Sequence, residues 1–439
     1  MYSNRQILKI SYPIFLSLLT QNIIQVISTA FLGRVGEVEL GASALGGLFY
    51  VAIFTLGFGF SMGGQILIGR RNGEGRFDRI GEIVLQGMVF LLAAALILIP
   101  VVGYVSRHGL TLLFRSANVA QAAIEYLDLR IYGLIFAFVN SMFRAFYVGI
   151  ARTKVLTLNA GVMAGVNVFF DYGLIFGNFG LPEMGISGAA LAAVISEAAS
   201  TLFFVLFSLK TVDGVKYGFR RMRFRWSVVK KVLDISVFMM IQFLFSIGTW
   251  MLFFSFIEHL GERELAVSNI IRSFYMLLTI PATAMGSATS TMVSNTIGAG
   301  HKEQVLNLVK RGALLSLGVM IVVITAVGLS SEMFVRIYTD DVSLLNDTLP
   351  PFFVLLSSLP FFAVGAVLFN AVSGTGNTRM TLVFELITLA VYTTYIWYIV
   401  LHLRSSVALA WTSEHLYWGI IAILSLFYLR GGMWKKKQI

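Results

Sequence analysis

The sequence contains no cysteine and few charged residues. Without cysteine, the 439-residue chain can form no disulfide, no thiolate metal site and no cysteine nucleophile. Asp, Glu, Lys and Arg make up only 13% of the residues, whereas soluble domains contain about 25%. Hydrophobic residues reach 57%, and the mean hydropathy is +0.82. These proportions indicate a protein that crosses a membrane many times.

Apolar stretches recur along the whole chain, and each has the roughly 20 residues needed to cross the hydrocarbon core of a bilayer. Uniformly apolar runs satisfy their backbone hydrogen bonds as helices, whereas the strands of a barrel alternate polar and apolar residues. We therefore predict an all-α integral membrane protein with twelve transmembrane helices. The predicted spans are 10–32, 42–69, 80–106, 118–150, 155–177, 184–210, 230–258, 265–296, 306–328, 346–372, 379–402 and 407–429.

Basic residues concentrate in alternate connections between the spans. The segments 69–79, 216–231 and 434–438 are basic, whereas 36–40 and 338–347 are acidic. The positive-inside rule then predicts a plasma (inner) membrane protein with both termini in the cytoplasm. Basic loops also explain the net charge of +11, so we expect membrane lipid as a partner and no nucleic acid.

The chain matches itself at a constant offset of 225 residues. Matched positions are GEVEL (36–40) with GEREL (261–265), Gly75 with Gly300, Gly87 with Gly312 and Gly149 with Gly374. Six spans per copy give both copies the same orientation, so the repeat predicts two six-helix lobes related by a pseudo-twofold axis along the membrane normal. We predict an N-lobe at 1–210, a cytoplasmic linker at 211–229, and a C-lobe with a basic tail at 230–439.

The fifth span holds an acid and an amide at membrane depth. Asn167 and Asp171 are four residues apart, so they share one face of a helix. At the repeat offset they fall on Tyr392 and Ile396, so only one copy has the pair. Inserting an ionisable residue into a span costs a free energy of at least about 2.5 kcal/mol, so such a residue is a candidate for a functional role. Their oxygens predict a site for H⁺ or Na⁺.

Other polar residues of the first half lie in the first and sixth spans. Glu197 is the second intramembrane acid, and a short connection between the fifth and sixth spans predicts a cavity shared with Asp171. Gln21, Gln25 and Ser28 follow helical spacing and form one polar stripe. The stripe either faces a cavity or hydrogen-bonds to another helix.

In the second half, three residues are candidates for lining a substrate cavity: Gln242, Arg272 and Glu385. Arg272 and Glu385 alternatively form an ion pair. Three charged residues near the outer end of the fourth span are predicted to be interfacial: Glu125, Asp128 and Arg130. No ATP-binding or catalytic motif occurs, which predicts a protein that is not an enzyme, needs no cofactor, and draws energy from an ion gradient.

Six segments in order along nearly the whole chain resemble one known family. They are YPIFLSLLTQ…STAFLGRVG (12–36), IGRRNGEGR (68–76), NVFFDYGLIFG (167–177), MGISGAALAAVIS (184–196), NTIGAGHKE (295–303) and SGTGNT (373–378). These are similar to the multidrug and toxic compound extrusion (MATE) transporters of the MOP flippase superfamily. The resemblance implies a two-lobe antiporter that exports drug-like or other amphiphilic organic compounds in exchange for H⁺ or Na⁺, by a rocker-switch motion.

Residue by residue, Asn167 and Asp171 match the Asn and Asp of the family's first-lobe cation site, and Gln21 matches a polar residue of the first span. The family's Asp before TAFLG is replaced by Ser28. We hypothesise that Glu197 supplies the missing carboxylate, in which case Glu197→Gln would abolish coupling as fully as Asp171→Asn.

Further departures concern the sixth span and the second lobe. A family Thr in the sixth span is Ala193 here, one turn from Glu197. One branch of the family has an acid where this chain has Gln242, and another acid in the tenth span, where 359–369 has none. A lipid-linked precursor flippase of related architecture is the alternative function, with Arg272 as the main basic candidate. We expect a small-molecule substrate, a monomer, and H⁺ slightly preferred over Na⁺.

Overall fold

The computed structural model describes residues 2–113, 116–219, 224–339 and 341–437, with the backbone alone at 110–113. Within these residues the regular structure is entirely helical, without strands. The α-helices are α1 Asn4–Val35, α2 Glu37–Gly73, α3 Ile80–Leu113, α4 Ala117–Arg130, α5 Gly133–Gly149, α6 Lys154–Phe176, α7 Gly185–Thr211, α8 Trp226–Glu258, α9 Glu262–Leu278, α10 Ile280–Gly298, α11 Val305–Gly328, α12 Ser331–Arg336, α13 Val342–Gly374, α14 Thr378–Ile396, α15 Val407–Trp411 and α16 Ser413–Gly431.

Among the described residues, ten helices are long and apolar enough to cross a membrane, and there are twelve spans if each of two bent helix pairs counts as one. The all-helical membrane architecture that the sequence predicts is therefore confirmed. The bends lie between α4 and α5, at 54°, and between α9 and α10, at 43°. The prediction of continuous helices over 118–150 and 265–296 is wrong.

The two bends have different causes. Pro281 stands in the first turn of α10, and proline ends a preceding helix because it lacks an N–H and crowds the residue before it. The α4–α5 break contains no proline. It lies at Gly133, where buried charged side chains approach the backbone. Late in the chain, the regular α-helical geometry of α14 gives way to a π-helical segment at Trp397–His402.

The chain packs as two units. We call Leu16–Met240 the N unit, and Met1–Phe15 together with Ile241–Ile439 the C unit. The N-lobe, linker and C-lobe boundaries drawn from the repeat stay a prediction, and residues 220–223 of that linker lie outside the described residues.

Glycines matched by the repeat lie at close helix contacts in each unit. In the N unit α2 packs on α5, where a Cβ on Gly149 would lie 3.0 Å from the Cβ of Ile68. In the C unit α10 packs on α13, where a Cβ on Gly374 would lie 2.9 Å from the Cα of Ser290. The repeat thus preserves a backbone approach that only glycine permits.

We expect Gly374→Ala to lower the stability of the C unit. The added methyl group would meet the backbone of Ser290, which cannot rotate away, so an overpacking cost of about 1–3 kcal/mol follows. The midpoint of thermal unfolding in detergent measures the effect. Gly318→Ala is the matched control, because a Cβ there meets nothing within 4 Å. Equal midpoints for the two variants would contradict the proposed contact.

Candidate functional site

Asp171 and Asn167 lie inside the N unit, on one face of α6. Their side chains are 0% and 2% exposed. Ser28 reaches them from α1, and its Oγ is in hydrogen-bond contact with Asp171 Oδ2 and lies 3.3 Å from Asn167 Oδ1. The three residues therefore form one polar group, in which the serine stands between a carboxylate and an amide.

One oxygen of this group is left without a partner. Among the described residues, Asp171 Oδ1 is buried and accepts no hydrogen bond, and no Lys or Arg acts on the carboxyl group. A bare carboxylate buried in an apolar setting is too costly to persist, so such a group takes up a proton or a cation. The arrangement can bind and release one small positive ion.

The rest of the polar stripe on α1 points elsewhere. Gln21 and Gln25 are exposed, and their side chains form no hydrogen bond within the described residues. Gln21 lies about two turns, and Gln25 about one turn, before Ser28 on the same helix. The structure thus brings only Ser28 of the stripe to Asp171, and a role for the two glutamines stays a prediction.

Glu197 lies in a second polar group of the N unit, centred on an arginine. Arg130, at the end of α4, donates from Nη2 to Glu197 Oε1 at 2.6 Å and from Nη1 to Oε2 at 2.9 Å. Tyr50 donates to the same carboxylate at 3.3 Å, and its ring lies 3.7 Å beneath the guanidinium. Asn140 donates to the backbone carbonyl of Glu197 at 2.9 Å. Together these contacts join four helices: α2, α4, α5 and α7.

Arg130, which the sequence predicts to be interfacial, is largely buried inside the N unit, with its side chain only 12% exposed. The break after α4 removes the backbone from its path, and a Cβ on Gly133 would collide with both the guanidinium and the carboxylate. The contacts of Glu197 are with Arg130 and Tyr50, and none of its described hydrogen bonds reaches Ser28 or Asp171. Its carboxylate therefore does not occupy the place of the acid missing at Ser28.

In the C unit, Glu385 on α14 is 0% exposed and accepts hydrogen bonds from Ser246 at 2.5 Å and Tyr417 at 2.7 Å. Gln242 is 7% exposed and lies one turn before Ser246 on α8. Arg272 is exposed, with its guanidinium 5.1 Å from the ring of Phe254. The alternative in which Arg272 and Glu385 form an ion pair is thus not realised among the described contacts.

Sequence reasoning missed a further buried acid, Glu414 on α16, which is 3% exposed. Tyr392 donates to its Oε1 at 3.4 Å, and its Oε2 has no partner in the described part of the chain. The sequence does contain a signal for it, since Glu414 is an acid within the apolar run of the predicted twelfth span. It lies only a few residues after the start of that span, however, where an acid is also compatible with the membrane interface.

Comparison with known proteins places this architecture in a family. The MatE family profile matches residues 13–173 and 238–410. The chain is 25% identical over 390 residues to the Probable multidrug resistance protein NorM of Thermotoga maritima, covering 88% of this chain and 83% of that protein. It is 24% identical to the Multidrug resistance protein MdtK of Pectobacterium atrosepticum, covering 85% and 81%.

Solved structures share the fold. One described as the outward-facing conformation of a multidrug resistance MATE family transporter of the MOP superfamily has a TM-score of 0.90 at 17% identity, covering 99% of this chain and 97% of that chain. The eukaryotic MATE transporter AtDTX14 has a TM-score of 0.85 at 20% identity, covering 98% and 96%. With a profile that matches most of its length and this shared fold, the chain belongs to the MatE family of multidrug and toxic compound extrusion membrane proteins.

Proposed function

We propose that this protein is a secondary antiporter that exports amphiphilic organic compounds in exchange for a monovalent cation carried by Asp171. One observation carries the proposal: Asp171 is fully buried, lacks a basic partner among the described residues, and keeps one oxygen unpartnered. Relatives named as multidrug resistance proteins support organic substrates. An acid of this kind binds an ion on one side of the membrane and releases it on the other.

The hydrogen bonds around Ser28 favour a proton over Na⁺. A serine hydroxyl has one hydrogen to donate, yet Ser28 Oγ contacts two acceptors, Asp171 Oδ2 and Asn167 Oδ1. If Asp171 is protonated, its O–H donates to Ser28 and Ser28 donates to Asn167, so each contact is satisfied. Na⁺ would need several oxygen ligands, and the serine at position 28 offers a neutral oxygen where the resemblance implies a carboxylate.

We further propose that the protein alternates access by a rocker-switch motion, as a monomer in the plasma (inner) membrane with both termini in the cytoplasm. The basic loops support this orientation. A lipid-linked precursor flippase is the less favoured alternative. It would need several cations to hold a pyrophosphate, and the described neighbours of Asp171 and Glu385 include no basic residue.

Glu197 is assigned to positioning rather than to ion transport. Its charge is neutralised by Arg130 through two short hydrogen bonds, so it has no need of a further cation. The buried pair, together with Tyr50 and Asn140, links four helices and holds those on either side of the α4–α5 break in register. This assignment replaces the hypothesis in which Glu197 takes over the carboxylate missing at Ser28.

The proposed function is tested in proteoliposomes with ethidium as the transported probe. A lumen more acidic than the bath, or richer in Na⁺, should drive ethidium inward as the ion leaves. We expect the acidic lumen to drive accumulation by the wild type, and Asp171→Asn to reduce it to the level of empty liposomes.

Asp234→Asn is the matched control, because Asp234 is exposed on α8. If neither gradient drives ethidium accumulation by the wild type, the exporter proposal fails. If Asp171→Asn accumulates ethidium as the wild type does, Asp171 does not carry the ion.

The role of Glu197 is tested by breaking the ion pair and then removing both charges. Glu197→Gln leaves Arg130 buried without its partner, which costs about 3–5 kcal/mol, and should lower the thermal unfolding midpoint markedly. The double variant Arg130→Met, Glu197→Gln should recover most of this loss, and its gradient-driven ethidium transport should persist. A folded double variant without gradient-driven transport would instead make Glu197 an ion-carrying residue.

A further inference from the structure

The C unit contains a hydroxyl–carboxylate pair on helices that correspond to those of the Asp171 group. In the N unit Ser28 of α1 meets Asp171 of α6, and in the C unit Ser246 of α8 meets Glu385 of α14. The repeat relates the first span to the seventh and the fifth to the eleventh. The same two helices of each copy thus join through a serine and an acid.

The two pairs lie at different depths along these helices. At the offset of 225 residues, Ser28 falls on Phe253, about two turns after Ser246. Asp171 falls on Ile396, about three turns after Glu385. Glu385 is therefore not the repeat counterpart of Asp171. It lies at a different position along the helix that corresponds to α6, and it contacts the helix that corresponds to α1.

The hydrogen bonds of Glu385 all fall on one of its oxygens. Ser246 at 2.5 Å and Tyr417 at 2.7 Å both donate to Oε1, while the buried Oε2 has no partner in the described residues. No charged group acts on this carboxyl. Like Asp171, a carboxylate that is 0% exposed and has no cationic neighbour needs a proton or a bound cation to neutralise its charge.

A second unpartnered oxygen lies on the same side of α8. Gln242 Oε1 is buried without a hydrogen-bond donor in the described part of the chain. Gln242 is four residues before Ser246, so the two side chains share a helix face, and Ser246 Oγ also donates to the Gln242 carbonyl at 3.0 Å. Two buried acceptors that both lack a donor are what a proton or a small cation would satisfy.

The titratable neighbours of Glu385 are acids and phenols. Tyr417 contacts it from α16, and the ring of Tyr417 lies 5.8 Å from that of Tyr392 on α14. Tyr392 donates in turn to Glu414. The described residues on α8, α14 and α16 around Glu385 thus supply no positive charge to neutralise it.

We propose that Glu385, with Ser246, Tyr417 and Gln242, forms a second site for a monovalent cation in the C unit, so that one transport cycle moves two ions. The second ion deepens the proposed function and rests on it for its role in transport. Its occupant is H⁺, which would bind the carboxylate and leave the amide oxygen to accept the O–H, or Na⁺, which would take both oxygens as ligands. Ser246 and Tyr417 hold Oε1 in place and leave Oε2 to the ion.

The transport test measures the limiting accumulation of ethidium in proteoliposomes with the membrane potential clamped at zero. Each coupled proton multiplies that limit about tenfold for a gradient of about one pH unit, and a tenfold Na⁺ gradient acts in the same way on a coupled Na⁺. We expect Glu385→Gln to lower the limit about tenfold under one of the two gradients, which identifies the ion. An unchanged limit under both gradients would overturn the second site.

Glu332→Gln is the matched control, since Glu332 is exposed on α12. A second readout needs no transport: infrared absorption of protonated carboxyl groups in purified protein, with and without Na⁺. Glu385→Gln should remove one component of the wild-type spectrum, or one component of the change that Na⁺ produces, while Asp171→Asn leaves that component in place. Identical spectra for Glu385→Gln and wild type in both buffers would overturn the site.

Tyr417→Phe serves if Glu385→Gln fails to fold. It removes one donor to Oε1 and should shift the same infrared component, whereas an unmoved component counts against the site. Because the infrared readout requires no substrate, a wild type that accumulates no ethidium would defeat the proposed function and leave the ion site to be judged by its spectrum.

Discussion

An acid buried in a membrane helix must be neutralised, and the contacts that do so distinguish Glu197 from Asp171 and Glu385. Glu197 receives two hydrogen bonds from the guanidinium of Arg130, which neutralises its charge. Asp171 and Glu385 receive only hydroxyl groups, and each keeps one oxygen unpartnered. Since no fixed cation accompanies them among the described residues, their positive charge must come from outside the chain. On this difference we base the proposal that Glu197 links helices and that Asp171 and Glu385 carry ions.

The helical framework serves these two kinds of acid in different ways. The break between α4 and α5 and the absence of a Cβ at Gly133 let Arg130 reach Glu197 deep in the N unit. The two acids that we propose to carry ions, Asp171 and Glu385, instead lie on unbroken helices, where a serine of another helix contacts them. Close contacts at Gly149 and Gly374 hold the neighbouring helices at short range in each unit.

Much of this architecture could be predicted from the sequence, because membrane spans and helix faces depend on local composition and spacing. The spans, the glycine contacts and the shared face of Asn167 and Asp171 are of this kind. The burial of Arg130 was not predictable, because no proline marks the bend beside it. Glu414 and the true surroundings of Glu385 also escaped prediction, since Tyr392, Ser246 and Tyr417 are brought to them by tertiary packing.

We propose that Asp171 carries an ion and does not bind the exported compound. Exchange of ethidium for labelled ethidium across proteoliposomes, without any ion gradient, separates these two roles in the Asp171→Asn variant. Exchange of one ethidium for another runs through the substrate-loaded protein, in which Asp171 carries no ion, so this step does not require ion binding at Asp171. We therefore expect the variant to exchange ethidium at a rate near that of the wild type. Loss of exchange in a folded variant would contradict the claim and assign Asp171 to the substrate.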